Sequence, residues 1–77
     1  MSIVFADHAK KQIEERKILK NQIVSTVKNP ESKEKSFKNR LLRRKVFDDK
    51  ILEVVTITEG SKITIVTAYY LKESYEN

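Results

Sequence analysis

Seventy-seven residues, with 16 Lys and Arg against 11 Asp and Glu and 39% apolar side chains, describe one small, basic, soluble domain over residues 1–77 with a formal net charge of +5. Two independent cores do not fit in that length, and the apolar fraction is that of a folded chain. No apolar run approaches the roughly 18 residues that a bilayer span requires, and Met1 to Asp7 lacks the basic and apolar regions of a signal peptide, so the expected setting is the cytoplasm, with no membrane partner. With no Cys and a single His, disulfides, thiolate nucleophiles and cysteine- or histidine-built metal sites are excluded, and no cofactor is expected.

Pro30 and Gly60, the one proline and the one glycine, divide the chain into three. Ser2 to Phe5 is a candidate short edge strand. Asp7 then suits an N-cap, and His8, Ala9, Gln12, Ile13 and Arg16 recur at the three- and four-residue spacing of one helix face. Ile18, Leu19, Ile23, Val24 and Val27 repeat that period up to Asn29-Pro30, where the residue before proline leaves the helical region. Two short helices, or one broken near Lys17, are expected.

Glu31 to Lys38 is polar and lysine-rich and reads as a solvated loop. Beyond it the period falls to two through Arg43 to Phe47, with turn chemistry at Asp48-Asp49. Ile51 to Thr58 and Ile63 to Leu71 are rich in Val, Ile, Thr and Tyr and flank the hairpin connection Glu59-Gly60-Ser61-Lys62. The expected fold is α+β: two N-terminal helices on one face of a three-stranded antiparallel sheet, four-stranded if a further strand joins. Ile63, Ile65, Thr67, Tyr69 and Leu71 are expected on one face of the last strand, with Thr64, Val66, Ala68 and Tyr70 on the other. Helices cover only one sheet face, so the other is exposed, concave or taken by a partner, a homodimer among the candidates.

The charge is local. Residues 1–32 carry +2, residues 33–45 carry +6 and residues 46–77 carry −3. Lys33, Lys35, Lys38, Arg40, Arg43, Arg44 and Lys45, with Phe37 among them, form a stripe that suits a phosphate-backbone ligand. A solubilising, charge-rich face accounts for the same stripe.

Few residues are placed for chemistry. His8 opens the first helix, at the positive end of the helix dipole, where general-base work near neutral pH suits an imidazole; a polar residue beside a cap is the plainer reading. Arg16 lies eight residues on, close to the same face, either meeting an anion with His8 or pairing with Gln12 or Glu15. Thr67 and Tyr69 share a strand face, where a hydroxyl and a phenol could bind a phosphate, although strands favour both residues anyway. One glycine cannot make a glycine-rich phosphate loop, and the neighbouring carboxylates Glu14-Glu15 and Asp48-Asp49 point apart.

The runs D-H-A-K-K-Q-I-E-E-R-K-I at Asp7 to Ile18, I-V-S-T-V-K-N-P at Ile23 to Pro30, R-R-K-V-F at Arg43 to Phe47, and I-L-E-V-V with I-V-T-A-Y-Y at the end carry a resemblance. Together they resemble a widespread family of small, functionally uncharacterised proteins in which an "HA…R" helix pair precedes strands ending in "T-x-Y". That family is in turn distantly similar to the RelE/ParE-type toxins, ribosome-dependent mRNA endonucleases or gyrase poisons neutralised by an antitoxin. The resemblance implies a RelE-like fold and a metal-independent endoribonuclease acting on RNA, ribosome-bound mRNA included, with an antitoxin as partner. It places His8, Arg16, one of Arg43 or Arg44, Thr67 and Tyr69 on recurrent polar positions. His8 would deprotonate the ribose 2′-hydroxyl, the arginines would hold the phosphate, and Tyr69 would assist. A non-catalytic nucleic-acid- or protein-binding module is the alternative.

Overall fold

In a computed structural model, described over residues 1–71, strand β1 (Ser2–Phe5) leads into helices α1 (Asp7–Glu15) and α2 (Lys20–Lys28). Strands β2 (Ser32–Lys35), β3 (Arg40–Phe47), β4 (Lys50–Glu59) and β5 (Lys62–Leu71) follow. They form one mixed five-stranded sheet in the order β1-β5-β4-β3-β2, with β1 parallel to β5 and the other neighbours antiparallel. This corrects the expected three- or four-stranded, all-antiparallel, RelE-like sheet. The helices and the β3-β4-β5 meander stand as expected, the candidate edge strand Ser2–Phe5 forms, and Ser32–Lys35 is a strand where a loop was expected.

Each edge strand has a physical reason. Ser32–Lys35 reads as a loop because its residues are exposed throughout, yet its backbone pairs with Leu41 to Arg44 of β3. A polar, lysine-bearing strand is what an open sheet edge tolerates. Ser2–Phe5 pairs with Lys62 to Ile65 and buries Ile3 and Phe5 against the core.

The break between the helices is a Schellman turn. Lys17 takes φ 57°, its N–H donates to the Glu14 carbonyl, and the Ile18 N–H donates to the Ile13 carbonyl at 3.1 Å. Ile13 and Ile18, the pair that such a turn brings together, are both buried. At the start of α1 the cap residue is Ala6, and Asp7 is the first helical residue.

Both helices lie on one side of the sheet. Ala9, Ile13, Ile18, Ile23 and Val27 meet Leu52 and Val54 of β4 and Ile63, Ile65 and Ala68 of β5 in the core. A β-bulge sets the phase of β5: Thr56 pairs with Ile65 and Val55 with Thr67, so Val66 is the extra residue. The expected alternation therefore holds only as far as Ile65. Past the bulge Ala68 and Tyr70 face the helices, and Thr67 and Tyr69 sit on the opposite face from Ile63 and Ile65.

Two stability changes follow. Ile23→Ala, at a fully buried position, should cost about 2–5 kcal/mol in denaturant unfolding. Lys17→Gly should stabilise by about 0.5–1 kcal/mol, since glycine accepts the left-handed conformation without strain.

Candidate functional site

Three neighbouring strands place one residue each on a line across the helix-free face. Arg44 of β3 is directly opposite Glu53 of β4, and Glu53 is directly opposite Tyr69 of β5. Their side chains join. Arg44 Nε donates to Glu53 Oε1 at 2.6 Å, the Tyr69 hydroxyl donates to Glu53 Oε2, and Arg44 Nη2 donates to Glu34 of β2 at 2.8 Å. Glu53 is only 4% exposed, although no helix covers this face, because Arg44 and Tyr69 close over its carboxylate.

The electrostatics follow from these contacts. Hydrogen bonds to Glu53 and then Glu34 raise the Arg44 pKa above its ordinary value. Partial burial, followed by the bond to Glu53, pushes the Tyr69 phenol up to about 12. Tyr69 is therefore a neutral hydrogen-bond donor at physiological pH, not a base.

A second group adjoins the first where the pairing of β1 stops at Ile65 and, among the described residues, no strand neighbours the rest of β5 on that side. Arg16, the C-cap of α1, reaches this edge. Its Nη1 donates to the Ala68 carbonyl at 2.8 Å and to Thr67 Oγ1 at 3.3 Å, while the Thr67 hydroxyl donates to Gln12 Oε1. The Arg16 charge also reaches Tyr69, whose pKa it lowers slightly against the larger upward effects of burial and Glu53. Arg16, Thr67, Tyr69, Glu53 and Arg44 thus form one row from the α1 terminus across the sheet.

Other expected site residues lie elsewhere. His8 is exposed and has no side-chain hydrogen-bond partner among the described residues. It stands eight residues before Arg16, about 12 Å along the helix axis. Arg43 points to the helix side, where its Nη1 donates to the Val27 carbonyl at 2.8 Å and its Nε to Thr56 Oγ1 at 3.1 Å. Burial lowers its pKa from the ordinary value, and its bonds tie the end of α2 to the sheet. Lys45 also faces the helices and donates to Ser25 Oγ at 3.0 Å.

Strand alternation therefore divides the basic stripe. By register Lys33, Lys35, Arg43 and Lys45 share the helix side, Arg40 and Arg44 the other, and Lys38 sits in the turn between β2 and β3. Of the two arginines left open by the sequence, Arg44 is the one beside Tyr69. Glu53 was not anticipated, and Gln12, expected only as a partner for Arg16, accepts from the Thr67 hydroxyl. An acidic residue inside an apolar strand was the available signal for Glu53, since a buried charge requires partners. Among the described residues no group of three His, Asp or Glu side chains could hold a metal ion, and no helix is long and apolar enough to cross a membrane.

The chain belongs to the family described as a domain of unknown function, DUF4258, whose model matches residues 5–70. That span includes both helices, the meander and the whole polar row. No curated protein and no solved structure matches the chain. The more distant likeness to RelE/ParE-type toxins gains no support from these comparisons.

The Tyr69–Glu53 contact makes stability depend on pH. A phenol whose folded pKa of about 12 exceeds the unfolded value of 10.0 contributes stability that is complete below pH 10 and is lost as pH rises toward 12. Tyr69→Phe should reduce the loss of stability over that interval, measured by urea unfolding at pH 8, 10 and 11.

Proposed function

We propose that this domain is an RNA-directed, toxin-like protein whose helix-free sheet face carries the chemistry. The observation that supports this most is the row of Arg16, Thr67, Tyr69, Glu53 and Arg44. Two guanidinium groups stand at the two ends of the row, which suits a phosphodiester: arginine recognises phosphate oxygens through paired donors, while the Tyr69 phenol between them keeps its one proton in the bond to Glu53. Glu53 fixes the direction of both Arg44 and Tyr69 and leaves the outer edge of the row for a ligand. The cations of residues 33–45 add long-range attraction for a polyanion.

In an endoribonuclease of this kind, His8 takes the proton of a ribose 2′-hydroxyl and the 2′-oxygen attacks phosphorus. The bond from phosphorus to the 5′-oxygen breaks, and that oxygen leaves with a proton from Tyr69, whose hydroxyl turns from Glu53 to the leaving oxygen for this step. Arg16 and Arg44 hold the phosphate as its charge grows. An antitoxin protein would neutralise the domain by covering the same face.

A second reading, binding of nucleic acid without cleavage, is favoured by one observation. His8 stands about 12 Å from Arg16 along α1, and no side chain orients its ring.

Incubation of the pure protein with RNA, alone and with translating ribosomes, separates these readings. Cleavage that His8→Ala abolishes supports the enzyme. Salt-sensitive binding without cleavage, unaffected by His8→Ala, supports the binding module. Arg16→Ala should weaken binding several-fold and reduce the salt slope by about 1 in either case. Neither binding nor cleavage in any of these mixtures removes RNA as the target.

A further inference from the structure

The polar row does not use the turn that joins β2 to β3, yet that turn carries two features that need an explanation. First, a cleft of about 420 Å³ opens at this end of the sheet, lined by Lys35, Ser36, Asn39, Arg40, Leu41 and Thr58. Two cations, an amide and two hydroxyls surround an apolar floor at Leu41. Lys35 and Arg40 take no part in the ion pairs found among the described residues. Second, Phe37 in the same turn is 71% exposed. It is more exposed than Val46, Val4 and Leu19, the other large apolar residues outside the core apart from Met1.

The backbone holds the turn in one shape. Ser36 N–H donates to the Arg40 carbonyl at 2.8 Å and Arg40 N–H to the Phe37 carbonyl at 3.3 Å, while Lys38 and Asn39 both take φ 61°. Left-handed backbone at two successive non-glycine residues costs energy, and here it places Lys38 and Asn39 at the tip of a hairpin with Phe37 directly before them. Solubility does not explain an exposed phenylalanine, and the core does not use it.

An exposed aromatic ring among unpaired cations, beside a cleft with polar walls, matches what single-stranded nucleic acids require. A base stacks on the ring without regard to its identity, and the flanking phosphates meet Lys and Arg. A duplex keeps its bases stacked on each other and has none to offer.

We propose that the β2–β3 turn is a binding element for unpaired nucleotides, in which Phe37 stacks a base while Lys35, Lys38 and Arg40 hold the phosphates around it in and beside the cleft. The proposal rests on the RNA reading above and refines it: the ligand is single-stranded, and the turn is a contact separate from the Arg16–Arg44 row. The strand would run from the row over β3 past Arg40, which shares the helix-free face with Arg44, and round the hairpin end to Lys35, which register places on the helix side.

The absence of tryptophan from the chain provides the test, because Phe37→Trp places a single indole at the turn. Unlabelled oligo(A), oligo(U) and a duplex of the same length are titrated into Phe37→Trp while indole emission is followed. Affinities of the wild type, Phe37→Ala and the Lys35→Ala/Arg40→Ala double variant are measured by anisotropy with a labelled single strand. Single strands should quench the indole and the duplex should not. Phe37→Trp should bind like the wild type, and Phe37→Ala should lose about tenfold or more in affinity for single strands. The double variant should bind more weakly, with a shallower salt dependence.

If the wild type binds RNA, but Phe37→Ala binds equally well and the indole emission does not change, the turn is not the contact and the RNA reading stands without it. If the wild type binds no RNA of either form, the RNA reading fails and this proposal fails with it. The substitutions are at exposed or partly exposed turn positions, and a circular dichroism melt of each variant confirms that a lost affinity is not a lost fold.

Discussion

One extra residue in β5 determines which side of the sheet every later side chain serves. Without the bulge at Val66, Thr67 and Tyr69 would follow Ile63 and Ile65 under the helices, and Ala68 and Tyr70 would face outward. The core would then hold Thr67 and Tyr69 in place of Ala68 and Tyr70, and the close approach of α1 over the small Ala68 would be lost. With the bulge, the apolar half of the strand stays beneath α1 and α2, and the polar half comes into line with Glu53 and Arg44. The hydrophobic core and the polar row are two results of the same irregularity. Bulges bend a strand and redirect its side chains, and here the redirected ones are those best suited to meet an anion.

The polar row imposes a cost that the rest of the sheet must offset. Glu53 is a carboxylate held away from water on a face with no covering layer, and only its bonds to Arg44 and Tyr69 make that tolerable. An aliphatic residue at this position would continue the line of Ile51 and Val55 on the same face without any such requirement. What the charged arrangement adds is direction: a guanidinium and a phenol are held in fixed orientations on adjacent strands. Arg43, one residue away, shows the contrast. Its guanidinium is spent on the Val27 carbonyl and Thr56, where it secures α2 to the sheet and has no outward role. Two neighbouring arginines of one strand thus do opposite work because alternation sends them to opposite sides.

Much of this layout can be read from the residues, and the gaps have identifiable causes. The helices show their period and stop at Asn29-Pro30, and the Glu59 to Lys62 connection marks the β4–β5 hairpin plainly. The two edge strands show less clearly, for different reasons. Ser32–Lys35 has no apolar alternation because both of its faces are wet, and Ser2–Phe5 is too short for a period to emerge. The bulge is invisible because Val66 lies in a run of β-branched residues that suits either register. Thr67, Tyr69 and Arg16 could be paired from spacing and resemblance, and the structure brings them within reach of one another. The separate positions of Arg43 and Arg44 follow from strand geometry alone. The role of Glu53 required knowledge of which residues stand opposite it.

The pairing of β1 with β5 also bears on how the domain assembles. The helix pair and the β3-β4-β5 meander are built from contacts close in sequence, so each can begin to form from its own segment. The partnership of Ser2 with Lys62 spans 60 residues and closes the largest loop in the fold. During synthesis the first strand therefore waits for the last. Until β5 is complete, Ile3 and Phe5 have no sheet to join, and the edge of β5 that β1 later occupies is open to other strands. Assembly of this sheet should be limited by that long-range closure, with folding slower than so small a helical and hairpin-rich chain would otherwise show.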